Sequence, residues 1–354
     1  MWIIFFLACT FLVFLLPIVP AIYELFYKTD VDALGIEKKY RGNVGHFADS
    51  FRTRIQEKMK MAIDKSGQIH FFEMSRPTRE NIQEALKNKR TILSFKHTES
   101  RLPEQLLLNR EIYASGNLYV GEKSNLRAIL AEGDIILGPQ TSISRWIDAQ
   151  TIHAEKNCTL YGRASAHKHI QLNEGSSFER LNAPSISFGK KLIPDQPTDS
   201  NKTDESKPGQ PSLPHTCLPK SHRHHPEAKR DTFRQDLYLD RALCHEGNLV
   251  IHGTANLPEN SELKGSIKTS GALILRSNCK INGHLVAQKK IEIGSNSQVF
   301  GNVISEKSIW IARGCIIGSI DSQVSVVAPK IIIESGVIIH GSLSAYENGY
   351  IVDN

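Results

Sequence analysis

The chain has 354 residues, 40% apolar and 23% charged, with a net charge of +6. That length permits two compact units or one long one, and the composition excludes a wholly unfolded chain. The charge suits an anionic membrane surface but is too small to argue for nucleic acid. Aromatics at 7% and only 4 methionines are sparse for a bundle of long amphipathic helices.

From Trp2 to Tyr23 there is no charged residue. As a helix this stretch would reach roughly 33 Å, enough to cross a bilayer core of about 30 Å. Trp2, Tyr23, Phe26 and Tyr27 would sit at the interfaces, and Pro17 and Pro20 would kink or end the helix. A transmembrane helix is therefore expected over residues 1–27. A cleaved signal peptide is the rival reading, with Val19-Pro20-Ala21 as a poor small-residue site; the missing basic start and the length argue against it. Lys28, Lys38, Lys39, Arg41, Arg52, Arg54, Lys58 and Lys60 follow the apolar stretch. By the positive-inside rule the bulk of the chain is expected to be cytoplasmic.

Residues 28–112 read as a small juxtamembrane α/β region. Phe47, Phe51, Ile55, Met59 and Ala62 recur every three or four residues and predict an amphipathic helix within Val44–Lys65. Its apolar face would lie on the leaflet or, the preferred reading, pack against the strands that follow. Ser75–Lys89 predicts a second helix with Thr78 as N-cap and Glu80 in its first turn. "RTILSF" and "EIYAS" read as short strands.

A different rhythm occupies residues 113–188 and 233–354. Apolar or small residues come in i, i+2 pairs that restart every six residues: Ile267/Thr269, Leu273/Leu275, Cys279/Ile281, Leu285/Ala287, Ile291/Ile293, Ser297/Val299, Val303/Ser305, Ile309/Ile311 and Cys315/Ile317. After a break near Gln323–Lys330 it resumes at Ile331/Ile333, Val337/Ile339 and Leu343/Ala345. The earlier block repeats it less cleanly, through pairs such as Leu118/Val120, Ile135/Leu137, Cys158/Leu160 and Ile170/Leu172. Residues i and i+2 of a strand share a face, so each pair marks a strand of three or four residues followed by a corner. Three strands and three corners close a triangular coil of about 18 residues, and coils stack at about 4.8 Å.

Gly265, Gly283, Gly301, Gly318 and Gly341, at spacings of 18, 18, 17 and 23, are read as corners that need backbone freedom. The expected core includes Ile267, Leu273, Leu275, Ile281, Leu285, Ile291, Ile293, Val299, Val303, Ile309, Ile311, Ile331, Ile333 and Ile339. Cys158, Cys279 and Cys315 fall at inward positions, and the six scattered cysteines suggest buried thiols in a reducing compartment rather than a disulfide framework. The fold class is thus mainly β, a triangular β-solenoid with an N-terminal transmembrane helix and a small α/β region.

Between the blocks, residues 189–232 are rich in proline and polar residues and read as a flexible insertion that leaves one coil and re-enters the next. His215, Cys217, His222, His224 and His225 invite a metal reading, but their spacing matches no closed zinc site, so a solvated basic stretch is preferred.

With this register in place, residues 237–345 resemble the bactofilins. The resemblance rests on Gly265-Ser266-Ile267, Gly283-His284-Leu285, Gly301-Asn302-Val303 and Gly341-Ser342-Leu343, with "KKIEIGSNSQVFGNV" and "PKIIIESGVIIHGSL". It implies a right-handed β-helix that assembles end to end into filaments, attaches to the bacterial inner membrane and positions cell-envelope or morphogenesis proteins. The expected partners are therefore further copies of the chain, inner-membrane lipid and cell-envelope proteins, with no nucleic acid, cofactor or metal. Leu343, Ala345, Tyr346, Tyr350 and Ile351 form the candidate assembly end, since an uncapped solenoid terminus offers unpaired strand edges. The Pro-rich interruption, the full anchor and the α/β region depart from the family pattern.

The competing class is a hexapeptide-repeat acyltransferase with an external His base, for which His252, His284 and His340 adjoin corner glycines. No carboxylate accompanies them at a repeated offset, and the paired aliphatics fit the scaffold reading better. A passive membrane-tethered binding platform is the third class.

Overall fold

A computed structural model describes residues 46–60, 69–87, 92–189, 223–225 and 230–353, together with Trp2, Phe5 and Phe6. The chain divides into two compact units, Met1–Asn43 and Val44–Asn354. No helix among the described residues is long and apolar enough to cross a membrane. The transmembrane helix expected over residues 1–27 lies outside the described residues, apart from Trp2, Phe5 and Phe6.

The second unit is a β-solenoid of about 12 turns. Parallel pairing begins at Ile69, inside the segment read as juxtamembrane: Ile69–Phe72 pairs Ile92–Phe95, which pairs Leu107–Ala114. From there successive strands add at intervals of 17 to 19 residues, as in Ile92↔Glu111, Glu111↔Ala128 and Trp146↔Arg163. The second block starts at Arg230–Phe233 and climbs through Leu249↔Ile267, Ile267↔Leu285 and Leu285↔Val303. Each partner lies one coil away, so the six-residue rhythm becomes three faces, each with two columns of inward side chains. Every one of the fourteen expected core residues is 0–2% exposed. Burial of each Ile, Leu or Val side chain contributes about 1.5–3 kcal/mol against its exposed state.

Of the five corner glycines, Gly318 and Gly341 have the positive φ that the expected backbone freedom requires, 77° and 130°, whereas the other three sit where expected for another reason. Gly265, Gly283 and Gly301 have ordinary φ values; a Cβ on them would meet the carbonyl oxygen of Gly247, Gly265 and Gly283 at 2.0, 2.2 and 2.3 Å. Close approach of successive coils, not backbone freedom, requires glycine there. Further left-handed corners lie at Asn260, Asn278 and Asn296, with φ of 60°, 60° and 58°. Asn tolerates that region better than other side chains. Each is followed by an inward Ser or Cys, and the Ser261 and Ser297 hydroxyls accept the N–H of Leu243 and Cys279 one coil below.

The two blocks do not follow each other in one direction. The last strand of the first block, Ser177–Phe188, pairs antiparallel with the last strand of the second, Ile338–Val352. All three faces continue through this seam, at Leu181↔Leu343, Ile186↔Ile339 and Phe178↔Gly349. One inward column therefore runs His70, Leu93, Ile112, Ile129, Ile147, Ala164, Leu181, Leu343, Val326, Val303, Leu285, Ile267, Leu249, Asp231. The expectation that the insertion re-enters at the next coil is corrected. The first block ends at Gly189 beside the seam and the second starts at Arg230, seven coil steps away, or roughly 34 Å at the strand spacing. Forty intervening residues span that with ease.

Two helices adjoin the tube. The helix α1, His46–Lys60, docks Ala48, Phe51 and Ile55 on the outer apolar strip formed by Ile69, Ile92, Tyr113, Ala128, Leu130 and Trp146. Phe51 and Trp146 meet edge to face at 5.2 Å. This fits the preferred reading of its apolar face. The helix α2, Arg79–Lys87, starts at the expected N-cap: Thr78 Oγ1 accepts the Asn81 N–H at 3.3 Å, and Asn81 Oδ1 accepts the Thr78 N–H at 2.9 Å. It contributes Ile82 and Ala85 to the core that fills the tube.

Candidate functional site: the seam, the outer ends and the docked helix

The residues expected to form a free assembly end are placed at the seam instead. Leu343, Ala345 and Ile351 are 1–2% exposed, inside the tube, while Tyr346 and Tyr350 point outward at 65% and 45% exposure. The reading of this terminus as open is corrected, because the first block occupies it. Backbone bonds close the join: Gly175 N–H to Ile351 O at 3.1 Å, Ile351 N–H to Ser176 O at 3.0 Å, and Gly336 N–H to Phe188 O at 2.7 Å. Phe178 fills the space left by Gly349, where an added Cβ would stand 2.4 Å from the ring, and packs against Phe188 with centroids 6.0 Å apart.

Joining the blocks tail to tail leaves the starting coils of both as the outer ends, and each is terminated. At the first end α2 supplies Ile82 and Ala85, Phe72 stacks on Phe95 at 4.8 Å, and inward columns finish in His70 and Ser100 beside the apolar Phe72 and Leu102. At the second end two columns finish in Asp231 and His245, whose Oδ2 and Nε2 are 3.6 Å apart, and two others in the buried Phe233 and Leu237. The strand Arg223–His225 then adds antiparallel to Arg230–Phe233, through His224↔Asp231. Polar groups in inward positions stop some of the aliphatic columns, and the added strand covers one strand edge, that of Arg230–Phe233.

The docked helix is held by charge as well as by packing. Arg52 lies between Glu132 (Nε to Oε1, 3.1 Å), Asp148 (Nη2 to Oδ1, 3.1 Å) and Asp49 (Nη1 to Oδ1, 3.2 Å). The side chain of Asp148 is only 4% exposed, accepts the Ser165 hydroxyl, and lies 3.7 Å from His167 Nε2. Burial holds its carboxyl above the usual carboxylate range, against the opposing pull of Ser165, Arg52 and His167. Burial also works against the Arg52 charge, yet Glu132 and Asp148 hold that guanidinium above its ordinary value. Arg54 adds an ion pair to Glu111 at 2.7 Å. The apolar period of α1 was readable, but its carboxylate partners, 80 and 96 residues away, carried no sequence signal.

The remaining candidates are dispersed. His252 is exposed; His284 Nδ1 accepts the Asn302 N–H at 3.0 Å; His340 Nδ1 donates to the Pro184 carbonyl at 3.0 Å across the seam. The three rings stand on different coils and form no common site. Among the described residues no group of three metal-ligating side chains converges. His215, Cys217 and His222 lie outside the described residues, and His224 and His225 belong to the edge strand. Cys158, Cys279 and Cys315 are buried free thiols; burial pushes Cys158 to about 11 and Cys315 to about 12, and raises Cys279. Such thiols behave as small core residues. No protein family, curated protein or solved structure matches the chain.

Proposed function

We propose that the chain is a membrane-tethered structural platform. Residues 1–27 anchor it in the bacterial inner membrane with the bulk on the cytoplasmic side, and the tube offers its outer faces to cell-envelope or morphogenesis proteins. The observation that carries this reading is the continuity of all three strand columns through the seam, which joins two repeat blocks into one tube filled by side chains. The dispersed histidines and their backbone partners favour this role over acyl transfer. The caps at both outer ends favour a platform of fixed length over an end-to-end polymer.

A second reading is a bactofilin-like, right-handed scaffold that self-assembles with further copies. The seam favours it in one respect, because two coil ends of this chain already join in register on three faces. Membrane fractionation of the full chain, with electron microscopy and light scattering of residues 44–354, separates the readings. The platform reading expects carbonate-resistant membrane association and monodisperse rods roughly 60 Å long, from thirteen coil steps along the column. Filaments that lengthen with concentration would favour self-assembly. Release by carbonate would overturn the anchor, and saturable acyl-donor binding would favour the enzyme.

A further inference from the structure

On the outer surface of the first block, next to the seam, an open groove of about 310 Å³ is lined by Arg145, Trp146, Gly162, Arg163, Glu179 and Arg180. The solenoid register builds it. Trp146, Arg163 and Arg180 are direct partners on three successive coils, so their side chains stand in one outward column, followed across the seam by Ser344. Arg145 precedes Trp146 at the adjoining corner. Its carbonyl oxygen would lie 2.0 Å from a Cβ on Gly162, whose φ is +74°. Only glycine lets the next coil fold this close, and that approach forms the groove floor. The single carboxylate, Glu179, accepts the Gly162 N–H at 2.9 Å and so braces the floor.

Three arginines against one glutamate give the groove a charge of +2. Arg145 and Arg180 are exposed and have no ion-pair partner among the described residues. Arg163 and Arg180 share a rung of the ladder, about 4.8 Å apart along the tube. Two cationic side chains from successive rungs thus line the same groove. Arginine presents a planar fork suited to oxygens of a tetrahedral oxyanion. Trp146, only 6% exposed, adds a rigid apolar wall, and the groove falls within the size range of small-molecule sites.

We propose that this groove binds a phosphate monoester, whose charge of about −1.5 to −2 at neutral pH matches the excess on the arginines. The phosphoryl group sits between Arg163 and Arg180, Arg145 closes over it from the corner, and the esterified organic part lies against Trp146. A soluble phosphate monoester and the headgroup of phosphatidic acid share this chemistry.

The test uses the full chain in detergent, with Trp2→Phe and Trp310→Phe so that Trp146 is the remaining one of the three tryptophans. Glycerol 3-phosphate and dihexanoyl phosphatidic acid are titrated separately, following indole emission. At least one is expected to give a saturable change. Tighter binding of the phosphatidic acid assigns the lipid source, and equal binding assigns the soluble ester. Arg163→Gln/Arg180→Gln is expected to weaken binding at least tenfold, whereas Lys268→Gln/Arg241→Gln, an equal loss of exposed charge, leaves it unchanged. Glu179→Gln keeps an acceptor for Gly162 and removes the opposing charge, so it tightens binding several-fold. Should the double arginine variant lose its native melt, Arg145→Gln carries the same comparison from an exposed position. The proposal is overturned if neither probe saturates, if the folded arginine variants bind as the parent does, or if the control pair loses as much.

Discussion

The tail-to-tail seam makes a quantitative demand on one pair, Phe178 and Gly349. They face each other across antiparallel strands in the same inward column, and both are buried. A Cβ on Gly349 would lie 2.4 Å from Cε2 and Cζ of Phe178, about 1 Å inside ordinary contact. Gly349 has no unusual φ, so Gly349→Ala acts through this contact alone. Overpacking of a filled interior costs about 2 kcal/mol. Phe178→Ala removes a ring that is 1% exposed and costs about 4 kcal/mol through lost burial and the cavity left behind. Independent sites would give roughly 6 kcal/mol for the double variant. Because the truncated side chain no longer meets the new methyl group, the double variant is expected to cost about 4 kcal/mol, a coupling of about 2 kcal/mol. Urea midpoints at a common slope measure all four corners of the cycle. Additivity within about 0.5 kcal/mol would refute the antiparallel register, since a seam joined in the other direction does not bring these residues together.

Ile293→Lys places an unpaired charge among Leu275, Ile311 and the other aliphatics of its column, and the second block is expected to lose several kcal/mol; a variant that melts like the parent would sink the inward register. Of the four cysteines in described residues, exposed Cys244 is expected to react with a thiol reagent at pH 8, while Cys158, Cys279 and Cys315 wait for unfolding. Mass mapping that finds equal rates at all four would contradict this. Asp148 has a folded-state pKa above its unfolded value, so its contribution to stability is complete below the ordinary carboxylate range and is lost as pH rises through the raised value. The stability difference between parent and Asp148→Asn should therefore shift toward the parent as pH falls from 7 into that window, and a pH-independent difference in urea midpoint would contradict it.

Much of the tube was legible because stacking imposes the period. A strand of three residues has one inward pair, and only a coil of fixed length keeps Leu285 over Ile267 and under Val303. The Asn corners could also have been found, since Asn260, Asn278 and Asn296 repeat every 18 residues and Asn is the common non-glycine residue at positive φ. What could not be read was direction. Leu181, Ile186, Leu343 and Ile339 at the seam are aliphatic rungs like any other, and such a rung packs equally well against a coil of either polarity. The local trace of the seam is the large ring of Phe178 opposite a glycine, which gains meaning only once the two strands are paired. The clamp around Arg52 was hidden for a related reason. Ion pairing across 80 or 96 residues leaves no mark on local periodicity.

Direction matters because of what it does to the ends. A repeat tube continued in one direction ends in two unlike edges, one from a first coil and one from a last. Each exposes unpaired backbone and an aliphatic interior, and the two edges fit each other, which is the geometry that propagates filaments. Joining last coil to last coil removes both last-coil edges from solution and leaves two first-coil edges, neither of which complements the other by simple translation. This chain terminates those edges separately, with α2 and a His70/Ser100 finish at one, and the strand Arg223–His225 with Asp231 and His245 at the other. Adding a further coil at either end would require displacing a cap and burying a polar inward side chain, which is costly without new partners. Under the platform reading, the seam is therefore the device that fixes the length of the tube. The outer faces, where α1 docks and the arginine column stands, become the surfaces on which recognition depends.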